Sequence, residues 1–122
     1  LIMPQPDVIQ FVNGLLQLLD TYPWISGELS NEATISFRTA DAETLCFESQ
    51  NARTILRFIC ARFVGLAEEN GVREINPYKG EYRFVVLDKR GDSVDTKVEF
   101  TNTTACQNFR LSRIIADEVE GS

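Results

Sequence analysis

Few side chains in this sequence could carry chemistry, and none of the 122 residues is a histidine. Without an imidazole, neither a Ser-His-Asp triad nor a Cys-His pair can form. Glu68 and Glu69 are neighbouring carboxylates, and Glu118 and Glu120 lie two apart, but such residues near the ends of elements are usually solvated. Neither G-x-G-x-x-G nor a phosphate-binding P-loop is present. We predict no catalytic residues and no cofactor, although catalysis by carboxylates, Lys, Tyr or Cys stays open.

The three cysteines, Cys46, Cys60 and Cys106, are far apart and include no C-x-x-C pair. Zinc sites need several Cys or His ligands at close spacing, so the sequence predicts no metal site. Each cysteine lies in apolar sequence, which favours free, buried thiols in a reducing compartment, with one disulfide as the alternative in an exported protein. The start, Leu-Ile-Met-Pro, lacks the basic and apolar regions of a signal peptide. A cytoplasmic location is the resulting expectation.

The formal net charge of −6 disfavours long-range attraction to nucleic acid and to anionic membranes. No apolar run approaches the length of a membrane span. The composition, 43% hydrophobic and 25% charged, is that of an ordinary globular protein, and the length fits one domain over residues 1–122. We therefore expect a protein or a small molecule as the partner.

The elements that must position any site are organised around a long helix predicted over residues 50–71. Its apolar residues recur at helical spacing on one broad face, as expected for a helix packed on a sheet: Ile55, Leu56, Ile59, Cys60, Phe63, Leu66 and Ala67. Gly71 suits the left-handed position that often closes a helix.

This predicted helix has a second, less usual face. Phe58, Ala61 and Gly65 cluster on the side away from the apolar face, where charged residues are normally found. Two small residues beside an aromatic allow another element to approach closely. One interpretation is that the first helix of the same chain covers this face; the other is a self-association surface of a homodimer, the commonest symmetric oligomer.

The remaining sequence predicts one more helix and several strands. Asp7 is a suitable N-cap for a helix over residues 8–19, and residues 24–27 are expected to form a turn. Alternating patterns predict hairpins from residues 33–39 and 44–49, and from 81–89 and 93–102. Residues 27–32 fit a loop or an edge strand, and residues 103–116 fit a strand or a helix, of which we favour a strand near 108–115. The predicted fold is α+β, with two helices on one face of an antiparallel sheet of four to five strands.

Three functions agree with these observations. The first is a non-enzymatic interaction protein, acting as a homodimer through Phe58, Ala61 and Gly65. The second is a small-molecule sensor with an apolar pocket between helices and sheet, walled by Trp24, Tyr78 and Tyr82. The third is a single-stranded nucleic-acid binder that uses exposed aromatics with arginines, and its candidate arginines are Arg83, Arg110 and Arg113.

Overall fold

A computed structural model describes residues 7–42 and 44–114 of the chain. Two helices and six strands are formed by these residues, in the order α1 (Val8–Leu18), β1 (Trp24–Asn31), β2 (Thr34–Thr39), β3 (Thr44–Glu48), α2 (Ala52–Glu69), β4 (Lys79–Leu87), β5 (Ser93–Asn102) and β6 (Gln107–Arg113). The α+β class and the long central helix are therefore confirmed. In the tail, Gln107–Arg113 form the favoured strand rather than a helix, and the part of the prediction from residue 115 onward lies outside the described residues.

The six strands make one antiparallel sheet in the order β3-β2-β1-β6-β5-β4. The expected count of four to five strands is too low. The sequence predicts a turn for residues 24–27 and either a loop or an edge strand for residues 27–32, whereas residues 24–31 together form the strand β1. It is neither a turn nor an edge, since it pairs with β2 on one side and β6 on the other. Among the described residues, β3 and β4 are the edges of the sheet.

The glycine inside β1 explains why this strand is hard to recognise. Ile25, Gly27 and Leu29 alternate on the inner face of the sheet, where a large apolar residue would be expected in the middle. The Phe109 ring of β6 occupies that space: a Cβ built on Gly27 would lie 2.4 Å from Phe109 Cε1. Because no larger residue fits under this ring, position 27 of the strand is a glycine, a residue that in the local sequence indicates a turn.

Both helices pack on the same face of the sheet. Phe11 of α1 lies 5.6 Å from Phe37 of β2, and Phe63 of α2 lies 5.1 Å from Phe109 of β6, measured between ring centroids. Phe37 and Phe109 share the inner row of the sheet, on either side of Gly27. One continuous core therefore joins α1, α2 and the sheet.

Local contacts at the helix ends follow the sequence signals. The Asp7 carboxylate accepts a hydrogen bond from Gln10 N at 3.2 Å, which caps α1 as predicted. At the end of α2, Gly71 has φ +84°, Gly71 N donates to Glu68 O, and Val72 N donates to Ala67 O. These two bonds form a Schellman motif, which requires the left-handed conformation that glycine adopts without strain.

The cysteines differ from the expectation in their exposure. All three are free, but only Cys60 is buried, whereas Cys46 and Cys106 are exposed. Cys60 Sγ lies 3.7 Å from Asn108 O, beneath the sheet. Burial, and to a smaller extent the neighbouring Cys106, raises the pKa of the Cys60 thiol from 9.0 to about 12.

This thiol should make the stability of the protein depend on alkaline pH. The unfolded chain loses the proton near pH 9, while folded Cys60 keeps it to about pH 12. Because the unfolded state then binds fewer protons, the free energy of unfolding should fall by ~1 kcal/mol per pH unit between these values. Urea titrations from pH 8 to 11 of the natural chain and of Cys60→Ala should show the steeper fall in the natural chain. Identical slopes would contradict a buried, protonated Cys60.

Candidate functional site

The outward side of α2 presents Phe58, Ala61 and Gly65, which we call the α2 ridge. Phe58 keeps 50% of its surface exposed, Ala61 is exposed and Gly65 is half-buried. On the opposite side of the same helix, Leu56, Ile59 and their apolar neighbours are fully buried against the sheet and α1. The ridge is therefore an uncovered aromatic side chain beside two small residues.

The first helix does not cover this ridge. The buried residues of α1 are Val12, Leu15 and Leu16, which join the core shared by α1, α2 and the sheet, while Phe58 remains half exposed. Of the two interpretations of the second α2 face, cover by α1 is not what the described residues show. Self-association through this face stays a prediction.

Gly65 has a neighbour within its own helix. A Cβ built there would lie 3.7 Å from Nη1 of Arg62, an ordinary van der Waals distance. The same Nη1 atom donates a hydrogen bond of 3.2 Å to the Glu69 carboxylate. Gly65 thus leaves space beside this ion pair, and a bulky residue at this position would extend beyond the helix surface into the space of any packed partner.

The three aromatic residues predicted to wall a ligand pocket are not brought together. Trp24 lies on the outer face of the sheet, with the Arg110 guanidinium 4.5 Å from its ring centroid. Tyr82 lies on the inner face of β4, 6.0 Å from Phe100, and its hydroxyl accepts a hydrogen bond from Asn76 N. Tyr78 is exposed just before β4. A ligand role for these residues stays a prediction.

The arginines considered for nucleic acid are also separated. Arg113 donates to Leu19 O at 2.8 Å and so ties β6 to the end of α1. Arg83 and Arg110 lie on the outer face, where carboxylates are close by in the sheet register: Arg110 pairs with Glu99, and Glu99 with Glu81. On this face Lys97 bonds to both carboxylates, which raises the pKa of Lys97. The outer face is therefore mixed in charge rather than basic.

A second apolar surface was not predicted from the sequence. Between α1 and the β2–β3 hairpin lies an open cavity of about 510 Å³, which we call the α1/β3 groove. Uncharged and mainly apolar residues line it, among them Phe11, Leu15, Leu18, Phe37, Leu45 and Phe47. Leu45 is 59% exposed, although β3 directs it to the helix side of the sheet. Leu45 is exposed because β3 is an edge strand. The sequence alone did not give the order of the strands, so this exposure could not be predicted.

Within residues 7–42 and 44–114, no group of three or more Cys, Asp or Glu side chains is placed to hold a metal ion. None of the helices in this part of the chain is both long and apolar enough to cross a membrane. No known protein-family model matches the sequence, and a comparison with curated proteins gives no significant match. The α2 ridge and the α1/β3 groove are therefore the candidate functional surfaces of the described residues.

Proposed function

We propose that this chain is a non-enzymatic interaction protein that acts as a homodimer, with the α2 ridge of one copy packed against that of the other. The observation that supports the proposal is Phe58, an aromatic side chain half exposed on a helix whose other side is buried. Aromatic residues at the centre of an interface supply much of the binding free energy. Ala61 and Gly65 beside it would let a second helix approach closely.

An antiparallel arrangement of the two α2 helices fits the charges of this helix. Arg57 precedes the ridge, and Glu68 and Glu69 follow it. A two-fold axis near Ala61 would place Phe58 of one copy over the Gly65 region of the other, and would bring Arg57 near the acidic end of the partner helix. Such an interface uses the same patch on both copies, as two-fold symmetric dimers do.

Two substitutions on the ridge should weaken the dimer. Phe58→Asp places a charge in the proposed contact, and Gly65→Leu fills the space needed by the partner helix. Each should raise the dissociation constant of the dimer by about tenfold or more, which corresponds to ~1.4 kcal/mol. Sedimentation velocity at several protein concentrations measures the change.

The matched control is Leu87→Asp, because Leu87 is 68% exposed but lies on β4, away from the ridge. This variant should sediment as the natural chain does. Circular dichroism and thermal unfolding of all three variants separate dissociation from loss of fold. An unchanged sedimentation profile for both folded ridge variants would refute the proposed interface.

The proposal includes a cytoplasmic location. All three thiols are free, and Cys46 and Cys106 are exposed. Free exposed thiols are typical of a reducing compartment, which supports this location. A protein partner is a further part of the proposal, because an acidic homodimer with apolar surfaces suits protein contacts better than contacts with nucleic acid.

A further inference from the structure

The two edges of the sheet are protected differently. On β4, Val85 N donates to the Asn70 side chain at 3.0 Å, and the charged residues Lys79, Glu81 and Arg83 alternate along the exposed face. Side-chain bonds and charges of this kind discourage another strand from pairing with an edge. Within the part of the chain described, β3 shows no side-chain bond of this kind, and the one charged residue in its sequence, Thr-Leu-Cys-Phe-Glu, is Glu48 at its end.

The alternation of the hydrogen bonds between β2 and β3 shows which backbone groups of β3 point away from β2. Ser49 N donates to Ala33 O at 2.9 Å, so these two residues form a hydrogen-bonded pair just beyond the strand. In an antiparallel ladder such pairs alternate, which places Leu45 and Phe47 in the bonded positions opposite β2. The amide and carbonyl groups of Thr44, Cys46 and Glu48 therefore point to the free edge.

The α1/β3 groove lies directly beside this free edge. The Leu45 and Phe47 side chains border it from β3, and Phe11, Leu15 and Leu18 border it from α1. A strand added to β3 would place every second side chain in the groove. The backbone edge and the apolar groove together match the recognition of an extended peptide by strand addition.

The charge of the chain indicates what kind of peptide fits. Residues 1–52, which include α1 and β1 to β3, contain seven acidic residues and a single basic one, Arg38. Residues 53–122 contain eleven of each, so the first part carries the whole net charge of −6. Arg38 lies on the outer face, 3.9 Å from Glu28, and Asp41 and Glu48 are exposed at the two ends of the β3 region. The part of the chain that forms the groove therefore carries a net negative charge.

We propose that the α1/β3 groove binds an extended segment of a partner protein, with alternating apolar residues and Lys or Arg at its ends, as a seventh strand beside β3. A second copy of this chain is a poorer occupant of the groove, because its acidic residues 1–52 would be brought against the same acidic part of the first copy. The α2 ridge does not have this difficulty, since it belongs to residues 53–122, which contain equal numbers of acidic and basic residues. The groove gives the proposed interaction protein its partner-binding site, so this inference rests on the proposed function.

The test uses the full chain and the capped peptide KRLTFTLKR, labelled for fluorescence anisotropy. Three comparison peptides separate the recognition elements. EDLTFTLDE reverses the end charges, and KRSTSTSKR removes the apolar side chains. KRLPFPLKR keeps the apolar side chains and replaces by proline both threonines, whose amide N–H groups would face β3 in an antiparallel pairing. We expect the first peptide to bind at least about tenfold more tightly than each of the others, and its affinity to fall as salt is raised.

Protein variants locate the binding surface. Leu45→Asp should weaken binding of KRLTFTLKR by about tenfold or more, while Leu87→Asp, on the other edge strand, should leave it unchanged. In NMR spectra the amides of Thr44, Cys46 and Glu48 should gain protection from hydrogen exchange when the peptide binds. Equal binding of the proline or acidic peptide, or no loss with folded Leu45→Asp, would overturn the proposal.

This inference and the proposed dimer can fail separately. Phe58→Asp should dissociate the dimer and leave peptide binding in place, whereas Leu45→Asp should weaken peptide binding and leave the dimer in place. If Leu45→Asp disperses the dimer instead, the groove is occupied by a second copy and the peptide proposal is wrong. If only a small apolar probe such as 1-anilinonaphthalene-8-sulfonate binds there, strand addition is wrong as well.

Discussion

Phe63→Ala is expected to destabilise the protein by about 3–5 kcal/mol. Phe63 is fully buried, and its ring meets Phe109 edge to face at 5.1 Å, where α2 packs on the middle of the sheet. Truncation removes the apolar surface of the ring and leaves a cavity between α2 and β6. Since domains of this size are stable by about 5–15 kcal/mol, the loss takes a large part of the total. Urea unfolding monitored by circular dichroism measures it.

Two other substitutions make this result specific to the packing of α2. Phe63→Leu keeps much of the volume and should cost less than Phe63→Ala. Leu87→Ala, at a site 68% exposed on β4, should change the free energy of unfolding by no more than about 0.5 kcal/mol. Similar losses for Phe63→Ala and Leu87→Ala would show that α2 does not contact the sheet through this face.

Gly27→Val should have an effect of similar size, through crowding instead of a cavity. The new Cβ would meet the Phe109 ring at 2.4 Å and 2.8 Å. That ring has little freedom to move, because Phe63 and Phe37 lie at 5.1 Å and 6.2 Å from it between centroids. Overpacking of a core typically costs about 1–3 kcal/mol, and the clash in a central strand should place this variant at or beyond the upper end. The midpoint of urea unfolding measures the change.

Gly14→Ala is the matched control for this substitution. A Cβ at Gly14, in the interior of α1, would meet no atom within 4 Å. Alanine there should stabilise the protein by about 0.5–1 kcal/mol, because it restricts the unfolded chain and favours the helix. If Gly27→Val were tolerated as well as Gly14→Ala, Phe109 would not lie over the backbone of β1.

The parts of the fold that local sequence encodes were predicted correctly. The helical spacing of the buried residues of α2 and the position of Gly71 locate this helix and its end to within about two residues, the usual uncertainty of helix boundaries. The alternation from Val94 to Phe100 locates β5 in the same way. In both cases neighbours along the chain are also neighbours within one element.

The parts of the fold that depend on contacts between distant residues were not predicted correctly. Gly27 indicates a turn locally, and only the ring of Phe109, far along the chain, explains a glycine inside a central strand. The pairing of β1 with β6 leaves no local signal, so both the strand count and the order of the sheet were beyond the sequence.

For the candidate sites, too, local features could be predicted from the sequence and features that depend on distant contacts could not. The place of Phe58 on the side of α2 away from the apolar face follows from helical spacing alone, whereas its exposure depends on where α1 packs and was left open by the sequence. Trp24 was assigned to an inner pocket because β1 was not recognised, and strand alternation from Ile25 would have placed it on the outer face. The α1/β3 groove depends on β3 being an edge, which no local pattern reveals.

The most direct test of the proposed function is the mass of the natural chain by light scattering over a wide range of protein concentration. We predict twice the mass of a single chain at micromolar concentration and above, with Phe58→Asp shifted toward the single-chain mass. A single-chain mass throughout the range would contradict the homodimer, and would leave the exposed Phe58 without the role assigned to it.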